Sequence, residues 1–238
     1  MASGWTFGGH GPGSVVIGLN QPPPDGDGVC HTWLMTSTGD LKLAGIILAG
    51  GRSRRMGQDK AAMEWEGVPM LSRIAWAISS RCEPVLVAAP PTSQAYVDLG
   101  AGSDLQWVTT EKAGSGPLGG LVAALREATD AGAEAAFVCA TDMPLVDTGL
   151  IDELVDGLTD SADAVIANDA GRDHPMAGIY RTRAVDRLAE LVEAGELRMG
   201  AALDAIVTRR VGVSDPGWLA NVDAPEDLHR LRISRVAS

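Results

Sequence analysis

The segment from Leu43 to Lys60 constrains this chain more than any other. Leu43-Ala44-Gly45-Ile46-Ile47-Leu48 is a short, unbroken apolar run that Ala49-Gly50-Gly51 brings to a stop. An apolar run of that length ending in glycines is the pattern of a strand buried on both faces of a parallel sheet. Directly behind it come Arg52, Arg54, Arg55 and Lys60, four of the 19 basic residues in a chain whose formal net charge is −12. Glycines let the backbone approach an anion closely and turn successive N–H groups toward it. Cations beside open backbone donors are what a polyphosphate requires. A merely solvated basic loop would account for the arginines but not for a Gly-Gly pair set at a strand end.

The rest of the chain alternates in the same style. Further apolar runs fall at 84–89, 105–109, 135–140 and 164–167, with a later strand at 178–181. Between them, helical spacing is read over 70–80, 93–99, 118–131 and 150–158, then near 184–193 and 200–208, with a last helix from Pro225. In the first of these helices Met70, Leu71, Ile74, Ala75, Trp76 and Ile78 are expected on one buried face. Such alternation implies βαβ crossovers and an α/β fold: a three-layer, mostly parallel, Rossmann-like sheet in a single domain over residues 41–238. Ligands of such sheets sit at the carboxyl ends of the strands, so the residues just past each strand are the informative ones.

Composition removes several classes. With 45% hydrophobic and 21% charged residues among 238, the chain is globular in make-up. Its 31 acidic residues argue against a general nucleic-acid binder, and no apolar run approaches a membrane span. Cys30, Cys82 and Cys139 are widely spaced and odd in number, which fits neither a disulfide framework nor a zinc site and points to a reducing, cytoplasmic setting. Residues 1–40 contain no Lys or Arg, many Gly and Pro, and neither helical nor strand period; they read as a disordered extension. They lack the features of a secretory or mitochondrial leader, and Met35, just before the first strand, is a candidate native start.

The loop is neither common phosphate motif. A Walker A segment needs Gly-Lys-Ser/Thr, and here Lys60 stands three residues after Gly57. Gly114-Ser115-Gly116-Pro117-Leu118-Gly119 does match the dinucleotide Gly-x-Gly-x-x-Gly, with Asp142 some way beyond, so an NAD(P)-binding oxidoreductase is a rival from another class. Five residues separate Thr109 from Gly114, however, and that reading leaves the basic loop unexplained. A non-catalytic nucleotide-binding protein is the other rival.

Residues 48–60 resemble LAGGxSxRMGxDK, the signature of the molybdenum cofactor guanylyltransferases (the MobA family), at every specified position. Gly116-Pro117-Leu118-Gly119-Gly120 is similar to the family's GPLxG segment, Cys139–Pro144 to its CDMP segment, and Asn221–Leu228 to its NVNTPEDL segment. His174-Pro175 resembles a segment facing the pterin. The resemblance runs from about residue 43 to about residue 230 and implies a nucleotidyltransferase fold of the glycosyltransferase-A-like type. It implies transfer of GMP from GTP to molybdopterin with release of pyrophosphate. Related cytidylyltransferases and phospholactate guanylyltransferases stand as alternatives.

By this resemblance GTP is expected at Leu48, Ala49, Gly50, Gly51, Ser53, Lys60, Glu111, Pro117, Leu118, Gly119 and Asp142, with Arg55, Lys60 and Asp142 catalytic. Mg²⁺ is the expected cofactor on Asp142, and His174, Pro175, Asn221 and Asp223 are expected to face the pterin. Transient contact with molybdoenzymes or other cofactor-biosynthesis proteins is implied by the same likeness. Simpler readings stand beside these: Asp142 and Asp223 as helix caps, His174 as a structural hydrogen-bonding residue. Ala88-Ala89-Pro90 replaces a commonly polar position of the family, and Glu111-Lys112 stands where an Asp is common.

Overall fold

Strand β1 (Leu43–Leu48) lies between two parallel neighbours, β4 (Val85–Ala89) and β6 (Ala135–Ala140), and every one of its residues is buried. The computed structural model describes residues 41–49, 63–65, 67–90, 92–99, 105–109, 115–222, 226–227 and 230–231. Outward from β4 comes β5 (Gln106–Thr109). On the other side lie β8 (Arg172–Arg181), β7 (Ala164–Asp169) and β9 (Thr208–Gly212), giving a seven-stranded sheet in the order β5-β4-β1-β6-β8-β7-β9. Only β8 runs against the others. The mostly parallel sheet expected from the sequence is therefore present, with one reversed strand inside it.

Helices cover both faces. Helices α1 (Met70–Ser79), α2 (Gln94–Leu99) and α4 (Thr148–Asp156) pack on one, where Leu71, Ile74, Ile78, Leu150 and Leu154 meet Ile47, Phe137 and Ile179. Helices α3 (Gly116–Asp130), α5 (Val185–Glu193) and α6 (Met199–Ala205) pack on the other, where Leu121, Leu125, Leu188 and Leu203 meet Ile46, Val138 and Tyr180. The strands bury side chains on both faces because both are covered, which is why they read as continuous apolar runs. A small hairpin, β2 (Glu64–Trp65) and β3 (Val68–Pro69), stands apart from the sheet. Fully buried Trp65 joins Met70 and Val222 in a third cluster that ties the hairpin to the C-terminal segment.

Several expectations are corrected. Trp76 is half-buried and lies off the buried face of α1. The helix expected over 200–208 ends at Ala205, and Thr208 instead opens β9, whose half-exposed residues carry too little apolar character to read as a strand. The strand read at 178–181 begins six residues earlier, at Arg172. Pro175 hides it: β7 pairs Ile166 with Gly178 but Ala167 with His174, so the proline falls in a bulge, where strands accept it. The expected extension, residues 1–40, lies outside the described residues, as does Pro225.

Candidate active site

The carboxyl ends of β1, β4 and β6 meet at one edge of the sheet. The Ala49 amide donates to the Ala88 carbonyl at 2.8 Å and the Thr141 amide to the Leu48 carbonyl at 3.4 Å, so the chain leaving β1 runs between the ends of its two neighbours. A Cβ added to Gly120 would lie 3.5 Å from Leu48 and 3.6 Å from Ala88. Gly120 follows the first turn of α3, and Leu118 shares a buried cluster with Leu48 and Ala88, so the segment that carries Pro117, Leu118 and Gly119 rests on the ends of β1 and β4. Of the residues expected to meet the nucleotide, Leu48, Ala49, Pro117, Leu118, Gly119 and Asp142 are thus gathered along one edge. Gly50, Gly51, Ser53, Arg55, Lys60 and Glu111 lie outside the described residues, as does Asp223 of the pterin set.

Asp142 comes just after β6, and the segment 142–144 is held by its backbone on two sides. The Asp142 carbonyl accepts the Val222 amide at 2.8 Å, and one residue past Met143 the Pro144 carbonyl accepts Nε of Arg73 at 3.3 Å. The Arg73 guanidinium also lies 5.9 Å from the centre of the Trp65 ring, close enough for a cation–π attraction. Oδ1 of Asp142 is shielded from solvent, and the Asp142 carboxylate is near enough to Cys139 to help push that thiol's pKa up, after burial and Cys82. Asp142 is not the N-cap of the next helix, α4. The cap of α4 is Asp147, whose carboxylate accepts the Gly149 amide at 2.9 Å.

His174 and Pro175 stand at the same edge, because β8 pairs Ala177 with Cys139 and the residues before Ala177 run toward the end of β6. The Tyr180 hydroxyl donates to the Pro175 carbonyl at 2.6 Å and fixes the bulge. Nε2 of His174 is buried and has no hydrogen-bond partner among the described residues. Burial, reinforced by the nearby Arg172 cation, holds the imidazole below its ordinary pKa against the opposing pull of Asp169 and Asp173. Asn221 is exposed beside buried Val222, which brings the C-terminal segment up to Asp142.

Sequence reasoning meets Ala88 and Gly120 only as members of motifs, not as the floor of this edge, and passes over the Val222 amide that braces it. None carries a chemical signal; they matter only for what they allow to come close. No helix among the described residues is long and apolar enough to cross a membrane.

A mostly parallel sheet of this order, with the basic glycine-rich sequence of residues 50–60 following its central strand, is what nucleotidyltransferases share. With molybdopterin-guanine dinucleotide biosynthesis protein A of Archaeoglobus fulgidus it shares the fold at a TM-score of 0.69 and 21% identity, covering 82% of this chain and 100% of that one. Residues 45–208 match the MobA-like NTP transferase domain, and the chain belongs to that family. It is 38% identical over 197 residues to a probable molybdenum cofactor guanylyltransferase of Mycobacterium avium, covering 82% of this chain and 98% of the relative. To one of the same name from Mycobacterium marinum it is 40% identical over 193 residues, covering 79% and 92%.

Proposed function

We propose that this chain transfers GMP from GTP to molybdopterin or the molybdenum cofactor, forming a guanine dinucleotide and releasing pyrophosphate. The observation that carries this reading is the meeting of three chain segments at one sheet edge: Leu48-Ala49, the first turn of α3, and Asp142. A terminal phosphate of the acceptor attacks the α-phosphorus of GTP in line. One P–O bond forms as the bond to the β-phosphate oxygen breaks, and pyrophosphate carries the electron pair away.

Positioning and charge neutralisation dominate this kind of reaction. Arg55 and Lys60 neutralise the triphosphate, and the amides of Gly50 and Gly51 donate to it. A phosphomonoester is nucleophilic at neutral pH, so no side chain has to serve as base. Mg²⁺ would suit the donor present, since the Asp142 carboxylate is a hard oxygen ligand of the kind this ion takes. When bound, it supplies positive charge to the phosphates. His174, Pro175, Asn221 and Asp223 face the acceptor, with Nε2 of neutral His174 offering a buried polar contact to it. Residues 41–238 form the transferase domain, working in the cytoplasm, where the product passes to molybdoenzymes.

The test is incubation with Mg²⁺, molybdopterin and GTP, CTP or ATP in turn, with product and pyrophosphate measured. Guanine dinucleotide from GTP alone is expected. Product from CTP in its place would overturn the guanine assignment, and no product from any of the three would overturn the whole reading.

A further inference from the structure

The first turn of α3 is held from outside the sheet by the turn that joins α5 to α6. Gly195, at φ +88°, ends α5, and the Glu196 amide closes the helix on the Leu191 carbonyl at 2.9 Å. The Glu196 side chain then folds back over the turn. Its Oε1 accepts the amides of Leu197 and Arg198, each at 2.9 Å, and Nε of Arg198 at 3.0 Å, while Oε2 accepts the other arm of the guanidinium at 2.9 Å. One carboxylate thereby fixes three consecutive residues. The hydrogen bonds from Arg198 and Leu197 also hold Glu196 down to about 2.

What the turn presents is the Leu197 carbonyl. It accepts the Leu118 amide at 3.4 Å, one of the first-turn donors that a helix cannot satisfy internally. Contact is tight enough that a Cβ on Gly116 would fall 2.8 Å from the Leu197 oxygen and 2.9 Å from its Cβ, and Gly116 takes φ +65° there. Pro117 has no amide to give, and the Gly119 amide goes to the Ser115 carbonyl at 3.1 Å. The first turn of α3 is thus braced by Leu197, a residue of the turn that joins α5 to α6.

We propose that Glu196 is a positioning residue of the nucleotide site: it shapes the 195–198 turn so that the Leu197 carbonyl seats the first turn of α3 against the end of β1. This rests on the reading that Pro117, Leu118 and Gly119 meet the nucleotide. Glu196 itself touches neither substrate nor reacting atoms, so its loss should weaken GTP binding and leave the chemical step largely alone.

Three measurements on the full chain test it. In Glu196→Ala, amide exchange at Leu118 should quicken, GTP binding with Mg²⁺ by calorimetry should weaken about tenfold, and KM for GTP should rise in proportion with kcat within about twofold. Glu196→Gln keeps an oxygen that accepts both amides and should recover most of the lost affinity. A Glu196→Ala chain that binds GTP as the parent does would overturn the proposal. So would a kcat that falls with KM unchanged, or a Glu196→Gln chain no better than Glu196→Ala. If the parent binds GTP yet forms no guanine dinucleotide, the function proposed above fails while the exchange and binding measurements still decide this one.

Discussion

The amide of Val222 donates to the carbonyl of Asp142 across 2.8 Å. The residue expected to hold the cation is thus anchored through its backbone by the C-terminal segment, and its carboxylate is not spent on that anchor. Since Asp147 caps α4, the two aspartates are separable by substitution. Asp142→Asn should reduce Mg²⁺-dependent pyrophosphate release by orders of magnitude, because an amide brings no negative charge to anchor the cation, while the denaturation midpoint stays near that of the parent. Asp147→Ala should lose about 1 kcal/mol of stability, as for loss of an N-cap, and keep turnover. Near-normal turnover in Asp142→Asn would remove it from the site.

Lys60 closes the basic loop. Its replacement by Ala should lower kcat/KM by an amount equal to about 2–4 kcal/mol, the usual loss for a charged donor to the transition state. Urea unfolding should remain cooperative with an unchanged midpoint. Collapse of that transition would make Lys60 structural instead.

His174 should make stability depend on pH. Its folded-state pKa lies below the ordinary 6.5, chiefly through burial, so the folded form binds fewer protons than the unfolded one. Stability is full above 6.5 and falls as the pH drops through the folded-state value. Denaturant midpoints measured above and below that range should show the loss in the parent and a shallower one in His174→Gln. Equal slopes would mean that His174 is solvated and ordinary.

Two thiols should be inert. Burial pushes Cys82 up to about 12 and raises Cys139 as well, so neither offers thiolate at neutral pH. Peptide mapping after exposure of the native chain to a thiol reagent should find both unmodified, and both labelled once urea is added. Labelling of Cys139 in the native chain would show that the sheet opens.

The extension should be dispensable. A chain starting at Met35 is expected to keep both melting temperature and activity, since residues 1–34 carry no periodicity and no part of the matched motifs. A drop in either would show that they pack on the domain.

The sheet was readable wherever burial on both faces made a strand uniformly apolar: β1 and β6 have the bounds that their apolar runs predict. It was unreadable where exposure or a bulge broke that pattern. Strand β9 is half in water, and the start of β8 is masked by Pro175 within a bulge. The site divides along a similar line. Glycines, cations and Asp142 announce themselves because polyphosphate chemistry needs them near a strand end. The Leu197 carbonyl cannot be read from residue identity, since every residue has one; only the packing of α5 and α6 brings it to Leu118.

The central place of β1 also bears on how the chain comes to be made. Leu43 finds its partner Ala135 on one side only after β4, β5 and α3 have left the ribosome, and Ile46 waits as long for Val138. Until then a wholly apolar edge with unmet backbone donors and acceptors is open to other chains. Pairings so distant in sequence slow folding through the entropy of closing long loops. Recovery during expression should therefore track the speed of synthesis and the supply of chaperones more closely than it tracks the stability of the finished fold.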